Sequence, residues 1–173
     1  EYVLIPGTRG AGSVSMDAEG RIYAVERTCT EPLNEDLAGC NELTGVVMLS
    51  PQRRVIARTF ADGRPLGRLN DLVVDGNGGA YFTVGGAYYV DPEGRVSTVA
   101  DQDSRSNGIM LNPEGDVLYV TNSTEVLAFD VGADGSTSNR RVFGTLNGDD
   151  GGDAYGGWSH AGGAIGGGAE VPG

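Results

Sequence analysis

The 173-residue chain is short of positive charge: 12 Lys and Arg stand against 24 Asp and Glu, a formal net charge of −12. This balance excludes nucleic acid and anionic membrane surfaces as partners, since both require basic patches. No apolar run approaches the roughly 20 residues that a helix needs to cross a bilayer. Helical periodicity longer than a turn is also missing, which points away from an α-helical protein. Histidine and tryptophan occur once each, at His160 and Trp158. A nucleophile–base pair at Ser159 and His160 is not expected, because a triad needs a rigid, oriented base and this Gly-rich surrounding offers none. No Gly-rich loop follows a strand and opens a helix, which argues against a P-loop or a dinucleotide-binding turn. Cysteine is limited to Cys29 and Cys40, which share one polar segment without strand periodicity. With no His or further Cys beside them, a disulfide is expected in preference to a metal site, and with it a periplasmic or secreted setting.

What the chain has in plenty is glycine and short alternating apolar runs. Glycine fills 30 positions; part of this excess is turn chemistry and part lies in a low-complexity tail. The stretch Arg68-Leu69-Asn70-Asp71-Leu72-Val73-Val74-Asp75-Gly76-Asn77-Gly78-Gly79-Ala80-Tyr81-Phe82-Thr83 reads as a strand, a Gly/Asn turn and a second strand, which is a hairpin signal. It recurs downstream from Ser106 to Val120, where Asn107 stands eight residues before Gly115 as Asn70 stands eight before Gly78. One hairpin per unit at a period of about 40 residues is the mark of a β-propeller blade. Runs at 12–17, 21–26, 45–50 and 53–60 supply four strands, and 69–74, 80–84, 87–90 and 95–100 supply four more. A third set follows at 108–111, 117–121, 126–130 and 139–145. The predicted fold is all-β: a partial propeller of three four-stranded antiparallel blades within 1–146. Residues 147–173 form a Gly/Asp/Ala-rich tail, read as irregular or disordered.

The two repeats carry Arg-x-Asn-Asp before an Asp-x-x-Gly hairpin, then Ser-Asn-Gly before Pro-x-Gly and Leu-Tyr-Val-Thr-Asn. This pattern resembles the gluconolactonase, senescence marker protein and luciferin-regenerating enzyme family, and more distantly diisopropyl fluorophosphatase and paraoxonase. The resemblance implies a six-bladed propeller with calcium, or zinc or manganese, in a central tunnel. It also implies metal-dependent hydrolysis of lactones or organophosphate and aryl esters. Carried onto this chain, it makes Asn70 and Asn107 metal-ligating or substrate-facing residues at the start of inner strands. Amide carbonyls are hard oxygen donors suited to Ca²⁺. Arg68 is expected to bind a small-molecule substrate, and Asp71 is the nearest carboxylate for a catalytic base.

Two departures from the family pattern bear on the site. Gly12 stands where the family opens its first blade with a ligating Glu, and no strand here carries the family's Asp-Gly-Met type fourth-blade ligand. Asp149, Asp150 and Asp153 are the nearest spare carboxylates, in a run that reads as flexible turns. These departures keep a second expectation in view, a non-catalytic propeller fragment serving as a binding or assembly module. Three blades cannot close a ring. A homodimer is therefore expected, its two halves completing six blades and covering otherwise exposed faces and strand edges.

Overall fold

A computed structural model describes residues 10–27, 44–100 and 105–145 of the chain. Cys29, Cys40, Asp149, Asp150, Asp153, Ser159 and His160 lie outside the described residues, so the expected disulfide and the tail fall there too. The described residues form strands only, in three separate sheets of four. The first sheet holds β1 (Ala11–Met16), β2 (Ile22–Glu26), β3 (Gly45–Ser50) and β4 (Arg54–Ala57). The second holds β5 (Leu72–Val74), β6 (Ala80–Thr83), β7 (Ala87–Val90) and β8 (Val96–Ala100). The third holds β9 (Ser106–Leu111), β10 (Val117–Asn122), β11 (Glu125–Val131) and β12 (Thr137–Thr145). Each sheet is an antiparallel meander in sequence order, so these are the three expected blades.

The hairpins form where short polar side chains satisfy the turn backbone. Asp17 Oδ1 accepts from the Glu19 and Arg21 amides, Asp75 Oδ1 from Asn77 and Gly79, and Asn112 Oδ1 from Asp116 and Val117. A carboxylate or amide in this role replaces the backbone acceptor that the turn removes. These three residues occupy the same register in their blades, which is why the inner hairpins superimpose in sequence.

Alternation then assigns the faces. Tyr23, Val25 and Val46 of blade one pack against Leu69, Leu72, Val74, Phe82, Tyr88 and Val90 of blade two. The opposite face of blade two, with Tyr81 and Tyr89, packs against Ile109, Leu118, Val120, Leu127 and Phe129 of blade three. Blade two is therefore buried on both faces, and each of its large side chains contributes about 1.5–3 kcal/mol by leaving water.

Polar bonds add to this packing, one across the interface of blades two and three and one within blade two. The Tyr81 hydroxyl donates to the Gly135 carbonyl at 2.9 Å, and the Tyr89 hydroxyl donates to Asp75 Oδ2 at 2.6 Å. Burial raises both phenol pKa values above the ordinary value, so both hydroxyls stay protonated donors.

Two inner-strand starts differ from expectation by more than one residue. The second blade's inner strand begins at Leu72 and not at Leu69, while the third blade's begins at Ser106 and not at Gly108. The reason lies in the pairing irregularities that shape the candidate site.

Candidate functional site

The inner strands β1, β5 and β9 lie side by side, and each departs from regular pairing at the same end. In blade one, Ala11 pairs with Glu26 and Ser13 with Val25, leaving Gly12 as an extra residue. In blade two, the Asn70 amide donates to Thr83 O at 2.8 Å and the Thr83 amide to Asp71 O at 3.0 Å, so two residues oppose one. In blade three, pairing runs from Ile109–Val120 to Ser106–Asn122, so Asn107 and Gly108 together face Thr121. Such bulges turn side chains out of the ladder's alternation. The threonines opposite them complete the backbone: Thr83 Oγ1 accepts from the Asp71 amide at 3.1 Å, and Thr121 Oγ1 accepts from the Gly108 amide at 2.8 Å. Thr83 Oγ1 also donates to the Asn107 carbonyl at 2.5 Å, joining blades two and three.

These bulges bring Asn70 and Asn107 into direct contact. Asn70 Nδ2 donates to Asn107 Oδ1. Arg27, the residue after β2, reaches across from blade one, and its Nη2 donates both to the Asn70 carbonyl and to Asn70 Oδ1, the latter at 3.0 Å. The guanidinium lies against Gly12, where a Cβ would fall on its Nε and Cζ atoms. Glycine at this bulge is therefore what admits Arg27 to the cluster.

Asp71 points the other way. Its Oδ1 accepts from Ser13 Oγ at 2.6 Å and from the Leu72 amide at 2.9 Å, and its Oδ2 accepts from the Ile109 amide at 3.1 Å. One buried carboxylate thus ties the inner strands of all three blades. Desolvation raises its pKa above the ordinary carboxylate range, against the opposing pull of these hydrogen bonds and of the nearby Arg27 charge. Both oxygens of Asp71, the expected base, thus accept hydrogen bonds within the fold, an arrangement that supports a strut. Arg68 is exposed, two residues ahead of Asn70 and anchored by the fully buried Leu69 between them.

A divalent cation does not fit this arrangement. Calcium takes six to eight oxygen ligands, several of them anionic. Here Asn70 Oδ1 faces a guanidinium, Asn107 Oδ1 accepts from an amide, both Asp71 oxygens are engaged, and Gly12 supplies no side chain. Among the described residues no group of three His, Cys, Asp or Glu side chains could hold a metal.

The sequence pattern brings out the two asparagines but not Arg27, Ser13, Thr83 or Thr121. The threonines had a legible signal, since both lie at the end of the second strand of their blades. Arg27 had none, because its partner lies 43 residues away.

Three meander blades with a polar cluster at one end of their inner strands define a β-propeller segment. The chain belongs to the SMP-30/gluconolactonase/LRE-like family, whose profile matches residues 9–157. Lactonase drp35 of Staphylococcus epidermidis is 41% identical over 66 residues, a match covering 32% of this chain and 20% of that protein. Its counterpart in Staphylococcus aureus matches to the same extent. Among solved structures, a gluconolactonase from Xanthomonas campestris superimposes with a TM-score of 0.56 at 22% identity, covering 75% of this chain and 47% of that one. A chain of a nidogen/laminin complex does so with a TM-score of 0.57 at 16% identity, covering 84% and 52%, which shows the fold alone. The match thus spans a fifth of the curated relatives' length, and about half of the gluconolactonase's.

Proposed function

We propose that this chain is the substrate-holding part of a lactone hydrolase. The observation that carries this reading is the Arg27–Asn70–Asn107 cluster, assembled from all three blades in a chain that belongs to a lactonase-containing family. In the reaction, water adds to the lactone carbonyl carbon, the ring C–O bond breaks, and the ring oxygen takes up a proton to give a hydroxy acid. The cluster would hold the carbonyl oxygen as charge develops on it, and Arg68 would meet substrate hydroxyls at the exposed rim. Aryl phosphotriesters offer a phosphoryl oxygen to the same donors and are the second substrate class.

The test is hydrolysis of a gluconolactone and of an aryl phosphotriester by the purified chain, followed by pH-stat and by phenolate release. Asn107→Ala is expected to lower kcat/KM for the lactone by about 100-fold, the scale on which one donor to a developing oxyanion acts. Its free energy of unfolding should fall by no more than about 1 kcal/mol. Equal turnover in variant and wild type would overturn the role.

A second reading, a non-catalytic binding module, is favoured by one specific observation: Asp71, the carboxylate that follows Asn70 in the chain, has both oxygens engaged within the fold. Lactone binding without turnover would establish it.

The homodimer is proposed on the apolar residues left exposed at the two ends of the blade series. Val14 and Met16 are 57% and 65% exposed on blade one, and Val142 and Phe143 are 54% and 39% exposed on blade three. Blade one of each copy would meet blade three of the other, closing a ring about a two-fold axis. Light scattering should return about twice 17.9 kDa; a monomer at tens of micromolar would overturn the proposal.

A further inference from the structure

We infer that Arg27 fixes the polarity of the Asn70–Asn107 amide pair, so that the cluster presents a hydrogen-bond donor to an acceptor oxygen of its ligand. The ligand class is the carbonyl of a lactone or the carboxylate of the opened acid; the inference rests on the lactone reading above.

Donor and acceptor inventories set the direction of the pair. A primary amide has one acceptor oxygen and one donor nitrogen, and either can be turned toward a neighbour. A guanidinium has donors only. Arg27 therefore requires that Asn70 turn its oxygen toward Nη2, as the 3.0 Å contact shows. Asn70 then presents its nitrogen to Asn107. Asn107 must answer with its oxygen, which is the arrangement found.

The relay ends at Asn107 Nδ2, which has no hydrogen-bond partner among the described residues, on a half-buried side chain. Its backbone carbonyl is already taken by Thr83 Oγ1. What remains to be offered is an N–H polarised by a positive charge two links away, and charge-assisted chains of this kind strengthen the terminal donor. In the same relay each amide oxygen already accepts a hydrogen bond, Asn70 Oδ1 from the guanidinium and Asn107 Oδ1 from Asn70 Nδ2. Exchanging the pair's polarity to free them would set Asn70 Nδ2 against the guanidinium, donor against donor. Gly12 completes the device, because any side chain there would displace Arg27. Arg27 is thus a positioning residue and Asn107 Nδ2 the group that touches ligand.

The experiment follows the asparagine side-chain amide resonances of the whole chain by ¹⁵N NMR during two titrations, one with sodium gluconate and one with calcium chloride. Gluconate is expected to shift the Asn107 side-chain amide, while calcium at millimolar concentration leaves both amides in place. Arg27→Met should weaken gluconate binding at least tenfold, and Arg27→Lys should recover part of it, which separates lost charge from lost fold. Calcium-induced shifts of either amide that a chelator reverses would overturn the inference. So would gluconate binding that Arg27→Met leaves unchanged, and so would the absence of any gluconate shift in wild type. Gluconate binding with the expected pattern but no lactone turnover would remove the hydrolase reading alone. Lactone turnover together with calcium shifts would remove this inference alone.

Discussion

Asp71→Ala is expected to lower the free energy of unfolding by about 3 kcal/mol, because it strands donors from three blades at once, two of them buried. Ser13 Oγ, the Leu72 amide and the Ile109 amide all lose their acceptor, and the latter two are buried. Urea unfolding followed by tyrosine fluorescence measures the loss. A change below about 0.5 kcal/mol, the level of an ordinary surface substitution, would show that the carboxylate is not a strut.

The same residue sets a pH dependence whose sign follows from its environment. Burial raises the Asp71 pKa in the folded chain, outweighing its hydrogen bonds and the Arg27 charge. A carboxyl with a raised folded pKa binds its proton more readily folded than unfolded. Its charge therefore costs stability above the folded pKa, and the cost disappears below the unfolded value of about 3.9. Asp71→Asn does not titrate. The stability of wild type relative to Asp71→Asn is therefore expected to rise as pH falls through that window. A constant or falling difference between the two urea midpoints would contradict a desolvated carboxylate.

Gly135→Ala is expected to cost about 3 kcal/mol, from a left-handed backbone and from overpacking together. Gly135 sits at φ +78°, in the turn between β11 and β12, and a Cβ there would fall on the Tyr89 ring. That ring cannot simply retreat. It packs against Tyr81 with centroids 4.8 Å apart, and its hydroxyl is held by Asp75. The Gly135 carbonyl also receives the Tyr81 hydroxyl, so displacement of this turn would break the polar tie between blades two and three. Differential scanning calorimetry should show the loss. Gly115→Ala serves as the comparison, since it has φ +77° but open space around its Cβ, and should cost only the backbone share of about 1 kcal/mol. Equal losses in the two variants would mean that the Tyr89 contact carries nothing.

The three meanders and their order were legible in the sequence because hairpins are local. Leu72 to Val74 and Ala80 to Thr83 lie within a few residues of the Asp75 turn that joins them, and Ile109 to Leu111 repeats the case around Asn112. The shared register of Asn70 and Asn107 was legible for the same reason, and the structure does place the two side chains against each other. Which atoms meet there was not legible. Asp71 next to Asn70 reads as one more site carboxylate, yet the bulge opposite Thr83 sends it inward to Ser13 and Ile109 while its neighbour faces Asn107. Gly12 reads as a missing ligand, yet its bareness is what seats the Arg27 guanidinium. Short-range alternation and turn chemistry decide strands and register from the chain alone. The direction of a bulged side chain, and the charge that reaches it from another blade, depend on distances that exist only once the blades have packed.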